Sequence, residues 1–287
     1  LHVMANSGWS WHLFAAPAVW IAKARRVPVV VNYRGGEAEQ FFARSFRWVR
    51  PTIGACAQIV VPSTFLEEVF SKRNVTTRVV PNIIDTARFA ATDPSTSRTD
   101  ARPNGPNLLV ARNLEAIYDN ANAVRAFKEI LPQHPHATLT IAGVGPELDS
   151  LRKLVAELQI EERVTFTGTV DTQQMPQLYQ SAAVMLNPSQ VDNMPNSILE
   201  ALASGVPVVS TNVGGIPYMV KHDETALLVP PRDSAAMAAA VNTVLSDERV
   251  STRLISAGRQ LVEQYSWPAV KEQWMSVYEQ AYRDAKP

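Results

Sequence analysis

A disulfide needs two cysteines, and this chain has one, Cys56. No internal bridge can staple it, so packing must hold the fold together. Cys56 lies in the apolar stretch Ile53-Gly54-Ala55-Cys56-Ala57, which reads as a buried, inert thiol. Charge excess is missing too: 27 Lys and Arg face 27 Asp and Glu. Affinity for phosphate backbones comes from a basic surplus or stripe, so nucleic acid is excluded as a partner. No apolar run reaches the roughly 18 to 20 residues that span a bilayer. The nearest, Leu13 to Ala22, is bounded by His12 and Lys23. A cytoplasmic protein is the expectation. The same stretch, followed by Lys23, Arg25 and Arg26, also fits a helix lying on an anionic membrane surface, against the plainer reading of a helix packed on a sheet. An initiating methionine is absent as well. The chain opens at Leu1 inside an apolar segment, as though an upstream strand had been cut. Asn74-Val75-Thr76 matches a glycosylation acceptor, but so short a match is read as chance.

What is present is the composition of an ordinary globular protein, with 46% apolar and 19% charged residues. Its 287 residues suffice for two domains with separate cores. Short β-branched runs alternate with longer amphipathic segments, the pattern of parallel strands joined by crossover helices. Strands are expected at residues 27–32, 58–62, 78–81, 107–111, 138–142, 164–167, 183–187, 206–210 and 226–229. Residues 90–106, rich in Ala, Thr, Ser, Asp, Pro and Arg, have neither period and read as a linker. The predicted organisation is therefore α/β with two Rossmann-like domains. Residues 1–89 are the remainder of a first domain, incomplete at its amino end, and residues 107–265 a complete second domain. Residues 266–287 form a closing helix, with Trp267, Trp274, Tyr278 and Tyr282 at helical spacing, that docks back on the first domain.

Ligands of open parallel sheets bind beyond the carboxyl ends of strands. Arg112 follows one such end, and a guanidinium there suits a diphosphate, although a surface salt bridge is the simpler use. Gly143-Val144-Gly145-Pro146-Glu147 is a glycine turn opening a helix, where amide groups and the helix dipole receive negative charge. The strongest signal runs from Pro188 to Val209. A polar loop carrying Asp192, Asn193 and Met194 leads to Pro195, which suits a first helical turn, then to Asn196, Ser197 and, just over one turn on, Glu200. Asp192 and Glu200 could reach different hydroxyls of one ligand; taken alone, the first is a turn residue and the second a solvated face charge. Asn212-Val213-Gly214-Gly215-Ile216-Pro217 forms a fourth loop able to approach a ligand.

These residues, with Val79-Val80-Pro81-Asn82-Ile83-Ile84-Asp85, Phe89, Phe166-Thr167-Gly168 and Leu227-Leu228-Val229-Pro230-Pro231, resemble the family-four, group 1, retaining glycosyltransferases of the two-domain GT-B fold. The resemblance implies transfer of a sugar from a nucleotide-diphosphate donor to an acceptor, a glycan, lipid or small molecule, with retention at the anomeric carbon. It implies a catalytic set of Arg112, Asp192, Glu200 and Arg34. Arg112 would hold the diphosphate, Gly143 and Gly145 the base or phosphate region, Glu200 the ribose, and Asp192 with Asn193, Met194, Pro195, Asn196 and Ser197 the donor sugar. No metal and no cofactor are expected. Three positions depart from the family: Asp192 replaces a glutamate, residues 113–120 lack the usual lysine, and Arg34 stands where relatives carry a histidine. About a hundred residues of the family's first domain are expected to precede Leu1. Two other readings stand beside the transferase: a non-catalytic nucleotide-sugar-binding fragment and a nucleotide-sugar epimerase.

Overall fold

The computed structural model describes residues 1–90 and 105–284. Of the linker expected over 90–106, residues 91–104 lie outside the described residues. The chain divides into two compact units. The first comprises Leu1–Ile83, Asp192–Met194 and the chain from Trp267 on; the second comprises Ile84–Val191 and Pro195–Ser266.

The first unit is built on a parallel sheet in sequence order: β1 (His2–Ala5), β2 (Val30–Tyr33), β3 (Gln58–Val61) and β4 (Arg78–Val79). The opening apolar segment, to which the sequence assigned no strand, is β1, paired with β2 from His2↔Val30 to Ala5↔Tyr33. Alternate strand residues point to opposite faces, so a strand buried on both sides reads as a continuous apolar run. Val31, Tyr33, Ile59 and Val61 face one core with Trp11, Phe42, Leu66 and Phe70. Val30 and Val60 face the other, where Val270, Trp274, Val277 and Ala281 of the helix Trp267–Arg283 cover them. His2 adds a pin: its ring lies 5.0 Å from that of Trp274 and its Nδ1 2.9 Å from the Tyr278 hydroxyl. Burial pushes the His2 pKa down, with the terminal ammonium and Arg34 acting in the same direction.

The second unit carries six parallel strands in the order β10-β9-β8-β5-β6-β7. They are β5 (Asn107–Ala111), β6 (Thr138–Ala142), β7 (Val164–Gly168), β8 (Val184–Asn187), β9 (Val208–Thr211) and β10 (Leu227–Val229). Counted within the unit this is the doubly wound order 6-5-4-1-2-3, whose direction of winding reverses between β5 and β8. Leu108, Val110, Leu139, Ile141, Val184 and Leu186 anchor its core. Strands β5 and β6 match the sequence expectation residue for residue, because their apolar runs are bounded by polar or glycine residues at both ends.

Trp274 fills the outer core of the first unit and is 7% exposed. Trp274→Ala is expected to lower the unfolding free energy of that unit by about 3–5 kcal/mol. Urea titration followed by near-ultraviolet circular dichroism measures it.

Candidate functional site

The reversal between β5 and β8 decides where a ligand can enter the second unit. Connections leaving these two neighbouring strands run in opposite directions, so a crevice is left between them at their carboxyl ends. Arg112 is the first residue after β5, and Pro188 to Val191 follow β8. The two loops are tied where they meet. The Gln190 amide donates to the Ile117 carbonyl at 2.8 Å, and Gln190 Nε2 to Asp119 Oδ2 at 3.0 Å.

Behind these loops the strand ends are closed by a satisfied polar network. Asn187 Nδ2 donates to Ser210 Oγ at 3.0 Å, Ser189 Oγ to Asn187 Oδ1 at 2.9 Å, and Thr211 Oγ1 to the Ser189 carbonyl at 2.6 Å. Fully paired networks of this kind are rigid, whereas a half-paired one would be costly. The loop after β8 therefore leaves the sheet at a set angle.

Arg112 is placed on both sides. Its amide donates to the Ala142 carbonyl at 3.1 Å, and its guanidinium carbon stands 3.9 Å from the centre of the Tyr118 ring, a cation–π contact. Next to it the glycine turn is shaped by close approach. Gly143 has φ +151°, and a β-carbon there would lie 2.0 Å from the Arg112 carbonyl oxygen; one on Gly145 would lie 2.3 Å from the Leu114 oxygen. The Gly143 amide is committed to Gly168 at 3.0 Å. What these glycines visibly do is let the β6 loop lie against the β5 loop.

The helix after β8 is Asn196–Ala203, with Pro195 at its cap, one position before the first turn expected from the sequence. Ser197 is 7% exposed, and its Oγ has no hydrogen-bond partner among the described residues. An orphaned buried hydroxyl at the positive end of a helix is a place for a ligand acceptor atom. Glu200 is not the solvated face charge that its sequence position suggests. It is half-buried, and its Oε2 accepts from the hydroxyl of Tyr179, itself fully buried, at 2.8 Å. Burial pushes the Glu200 pKa up, while the Tyr179 hydrogen bond and the Arg88 charge pull it back. Tyr179 is shifted far up, first by burial and then by Glu200, and the positive charge of Arg112 opposes that shift. The Tyr179 hydroxyl thus meets Glu200 through a hydrogen bond and feels the charge of Arg112 at longer range.

The remaining candidates belong to the first unit. Asp192 Oδ1 accepts from the Asn193 amide at 2.9 Å, the geometry of a turn residue. Asn193 Oδ1 accepts from Ser63 Oγ. Asn82 grips Met194 twice, its side chain donating to the Met194 carbonyl at 2.8 Å and its amide to the sulfur at 3.3 Å. Arg34, half-buried after β2, donates through Nη2 to Asn82 Oδ1. Burial lowers the Arg34 pKa.

Several residues of this arrangement escaped the sequence reading. Tyr179 on Met175–Ser181 looks like any core aromatic until its hydroxyl is seen to end on a carboxylate. Arg232, after β10, donates to Gln190 Oε1 at 2.5 Å and adds a second cation beside the loops. Tyr118 and Ser63 carried no signal in the sequence: Tyr118 meets Arg112 within one irregular loop that has no period, and Ser63 meets Asn193 from 130 residues away.

Comparisons with known proteins bear on the family and the fold. The family model described as "Glycosyl transferases group 1" matches residues 97–261. A glycogen synthase of Mycobacterium tuberculosis is 30% identical over 286 residues, covering 94% of this chain and 67% of its own length. A GDP-mannose-dependent alpha-(1-6)-phosphatidylinositol monomannoside mannosyltransferase of the same organism is 33% identical over 201 residues, covering 66% of this chain and 52% of its own length. The chain therefore spans between half and two thirds of these relatives. Among solved structures, Anabaena Alr3699/HepE in complex with UDP and glucose superposes with a TM-score of 0.79 at 21% identity, covering 97% of this chain and 77% of that one. Sucrose-phosphate synthase from Thermosynechococcus elongatus does so with 0.78 at 23%, covering 98% and 74%. These likenesses show the fold, α/β with two Rossmann-like units of the GT-B kind. By its matched model, its relatives and its strand order, the chain belongs to the group 1 glycosyl transferases.

Proposed function

We propose that this chain is the greater part of a retaining glycosyltransferase, moving a sugar from a nucleotide-diphosphate donor to a glycan, lipid or small-molecule acceptor. One observation supports the reading: Arg112 follows β5 and the helix Asn196–Ala203, with the unpartnered Ser197 hydroxyl in its first turn, follows β8, the two strands between which the winding of a six-stranded parallel sheet reverses. The chemistry asks for such a set. As the glycosidic bond to the donor breaks, negative charge builds on the departing diphosphate, and only interactions stronger in the transition state accelerate that step. A fixed guanidinium and the amino end of Asn196–Ala203 meet that charge without reorganising. In this reading they do so in place of a metal ion. Glu200 accepts hydrogen bonds from ribose hydroxyls, with Tyr179 holding its second lone pair. By the family likeness, Asp192 and the backbone of Asn193 to Asn196 receive the donor sugar. Retention rests on the family likeness.

Incubation with a panel of nucleotide sugars tests the reading. Released nucleotide with a glycosylated acceptor supports it; saturable donor binding without release supports a non-catalytic binding protein, and epimerised donor supports an epimerase. Arg112→Ala and Glu200→Ala are each expected to weaken donor binding about 100-fold, the loss of charge-assisted hydrogen bonds, whereas Asp192→Glu changes which sugar is accepted. Calorimetric affinities unchanged in the first two would remove the site.

The raised pKa of Glu200 sets a pH dependence. The sign is that of a group whose folded pKa lies above its unfolded one: its contribution to stability is complete at low pH and is lost as pH rises through the folded pKa. Ionised Glu200 therefore burdens the unliganded fold near neutrality, and donor hydroxyls offset that burden. Donor affinity is expected to fall on acidification at higher pH than an ordinary carboxylate would give. Glu200→Gln should flatten the profile, bind donor weakly, and be at least as stable as wild type without ligand. Titrations between about pH 8 and 5 and thermal melts check each statement.

A peripheral membrane contact is a second proposal, favoured by the helix Ala16–Ala24 and the turn before it. Leu13, Phe14 and Ile21 are 59%, 72% and 64% exposed, beside Lys23, Arg25 and Arg26. Sedimentation with vesicles rich in anionic phospholipid is expected to carry the protein down, and Phe14→Ser with Arg25→Glu to release it. No helix among the described residues is long and apolar enough to cross a membrane.

A further inference from the structure

Gln190, in the loop after β8, commits both polar atoms of its side chain to other loops of the second unit. Its Nε2 donates to Asp119 Oδ2 at 3.0 Å, and its Oε1 accepts from Arg232 Nη2 at 2.5 Å. Its main-chain amide donates to the Ile117 carbonyl at 2.8 Å. The loops after β5, β8 and β10 are thereby joined across the carboxyl end of one sheet. The partners also dictate the sense of the amide. A guanidinium only donates and a carboxylate only accepts, so turning the amide over would set donor against donor and acceptor against acceptor.

Both ends of this bridge are held in unfavourable backbone. Asp119 has φ +44° and Arg232 φ +61°, a left-handed conformation that residues with side chains keep only where their surroundings enforce it. Asp119 also stands at the amino cap of the helix Asn120–Ile130, yet its side chain makes no cap bond. Asp233, in the same place on the helix Ser234–Ser246, does cap, accepting from the Ala236 amide at 2.8 Å. A carboxylate at that position ordinarily serves its own helix. That of Asp119 is turned to Gln190 instead.

What lies between the two grips is Tyr118. Gln190 holds Ile117 on one side of it and Asp119 on the other, and the Tyr118 ring carries the Arg112 guanidinium at 3.9 Å. The turn Ala116–Tyr118 is a single three-residue 3₁₀ turn, whose own hydrogen bonding is weak. We infer that Gln190 is a positioning residue of the donor site: oriented by Arg232, it fixes the turn that bears Tyr118 and so aims the guanidinium of Arg112. The inference rests on the role proposed for Arg112 and adds to it. An arginine on a free stem samples many rotamers, and ligand binding must then freeze them; a ring held from both sides limits them beforehand. Gln190 acts through Tyr118 and touches no reacting atom.

Two readouts on the full chain test this, one of them without ligand. In nitrogen–proton correlation spectra the Arg112 Nε–H resonance, assigned by its loss in Arg112→Lys, is expected upfield of the other arginines because of the Tyr118 ring current. Gln190→Ala should return it toward the others and weaken binding of UDP- or GDP-sugars about tenfold by calorimetry, with little change in melting temperature. Gln190→Glu sets a carboxylate against Asp119 and should do the same. Adding Asp119→Asn to it exchanges donor and acceptor across that contact and should restore both the resonance and the affinity, which a residue that merely fills space would not do. An Arg112 resonance unmoved in Gln190→Ala overturns the inference, whether or not donor affinity falls, and so does a double variant no better than Gln190→Glu. A resonance that moves while donor affinity holds, or a wild-type chain that binds no UDP- or GDP-sugar, leaves the positioning in place and removes the donor reading of Arg112.

Discussion

A half-buried carboxylate held by a fully buried tyrosine is the constraint around which the second unit is arranged. Glu200 lies in a setting that penalises its charge, and Tyr179, buried entirely, holds it with a single short hydrogen bond. Removing the tyrosine hydroxyl leaves a partly desolvated charge without its partner, which costs more than the net value of the bond. The helix carrying Glu200, the helix carrying Tyr179 and the strand between them are therefore coupled. Arg112 adds the opposite charge within reach of the same hydroxyl. The unliganded protein keeps an electrostatic tension here.

The first unit solves a different problem. Its short sheet needs apolar cover on both faces, and the chain supplies the second cover from its far end: Val270, Trp274 and Val277 close over Val30 and Val60. A strand buried on one face only would show alternation, and Val29-Val30-Val31 shows none. The same unit takes hold of Asp192–Met194 through Ser63 and Asn82. The loop carrying Asp192 is thus positioned by side chains more than a hundred residues earlier, and Arg34 is tied to that grip through Asn82.

The crevice of the second unit sets a cation, Arg112, after one strand and the amino end of the helix Asn196–Ala203 after its neighbour, two sources of positive potential suited to an anionic group.

Periodicity and punctuation in the sequence were enough to determine the strands of the second unit, the helices between them, Glu200's among them, and the loop ends where Arg112 and Gly143 stand. Apolar runs bounded by polar residues, and glycines before helices, are local signals, and local signals survive in a linear text. The family pattern was equally legible, because its residues recur at set spacings. Three features were decided by tertiary structure alone: the burial of Glu200 against Tyr179, the stacking of Arg112 on Tyr118, and the grip of Asn82 on Met194. Each joins residues whose separation follows no helical or strand period, or turns on whether a side chain faces water. A residue's solvation and its partners across space are properties of packing, and packing is settled only when the strands have taken their order.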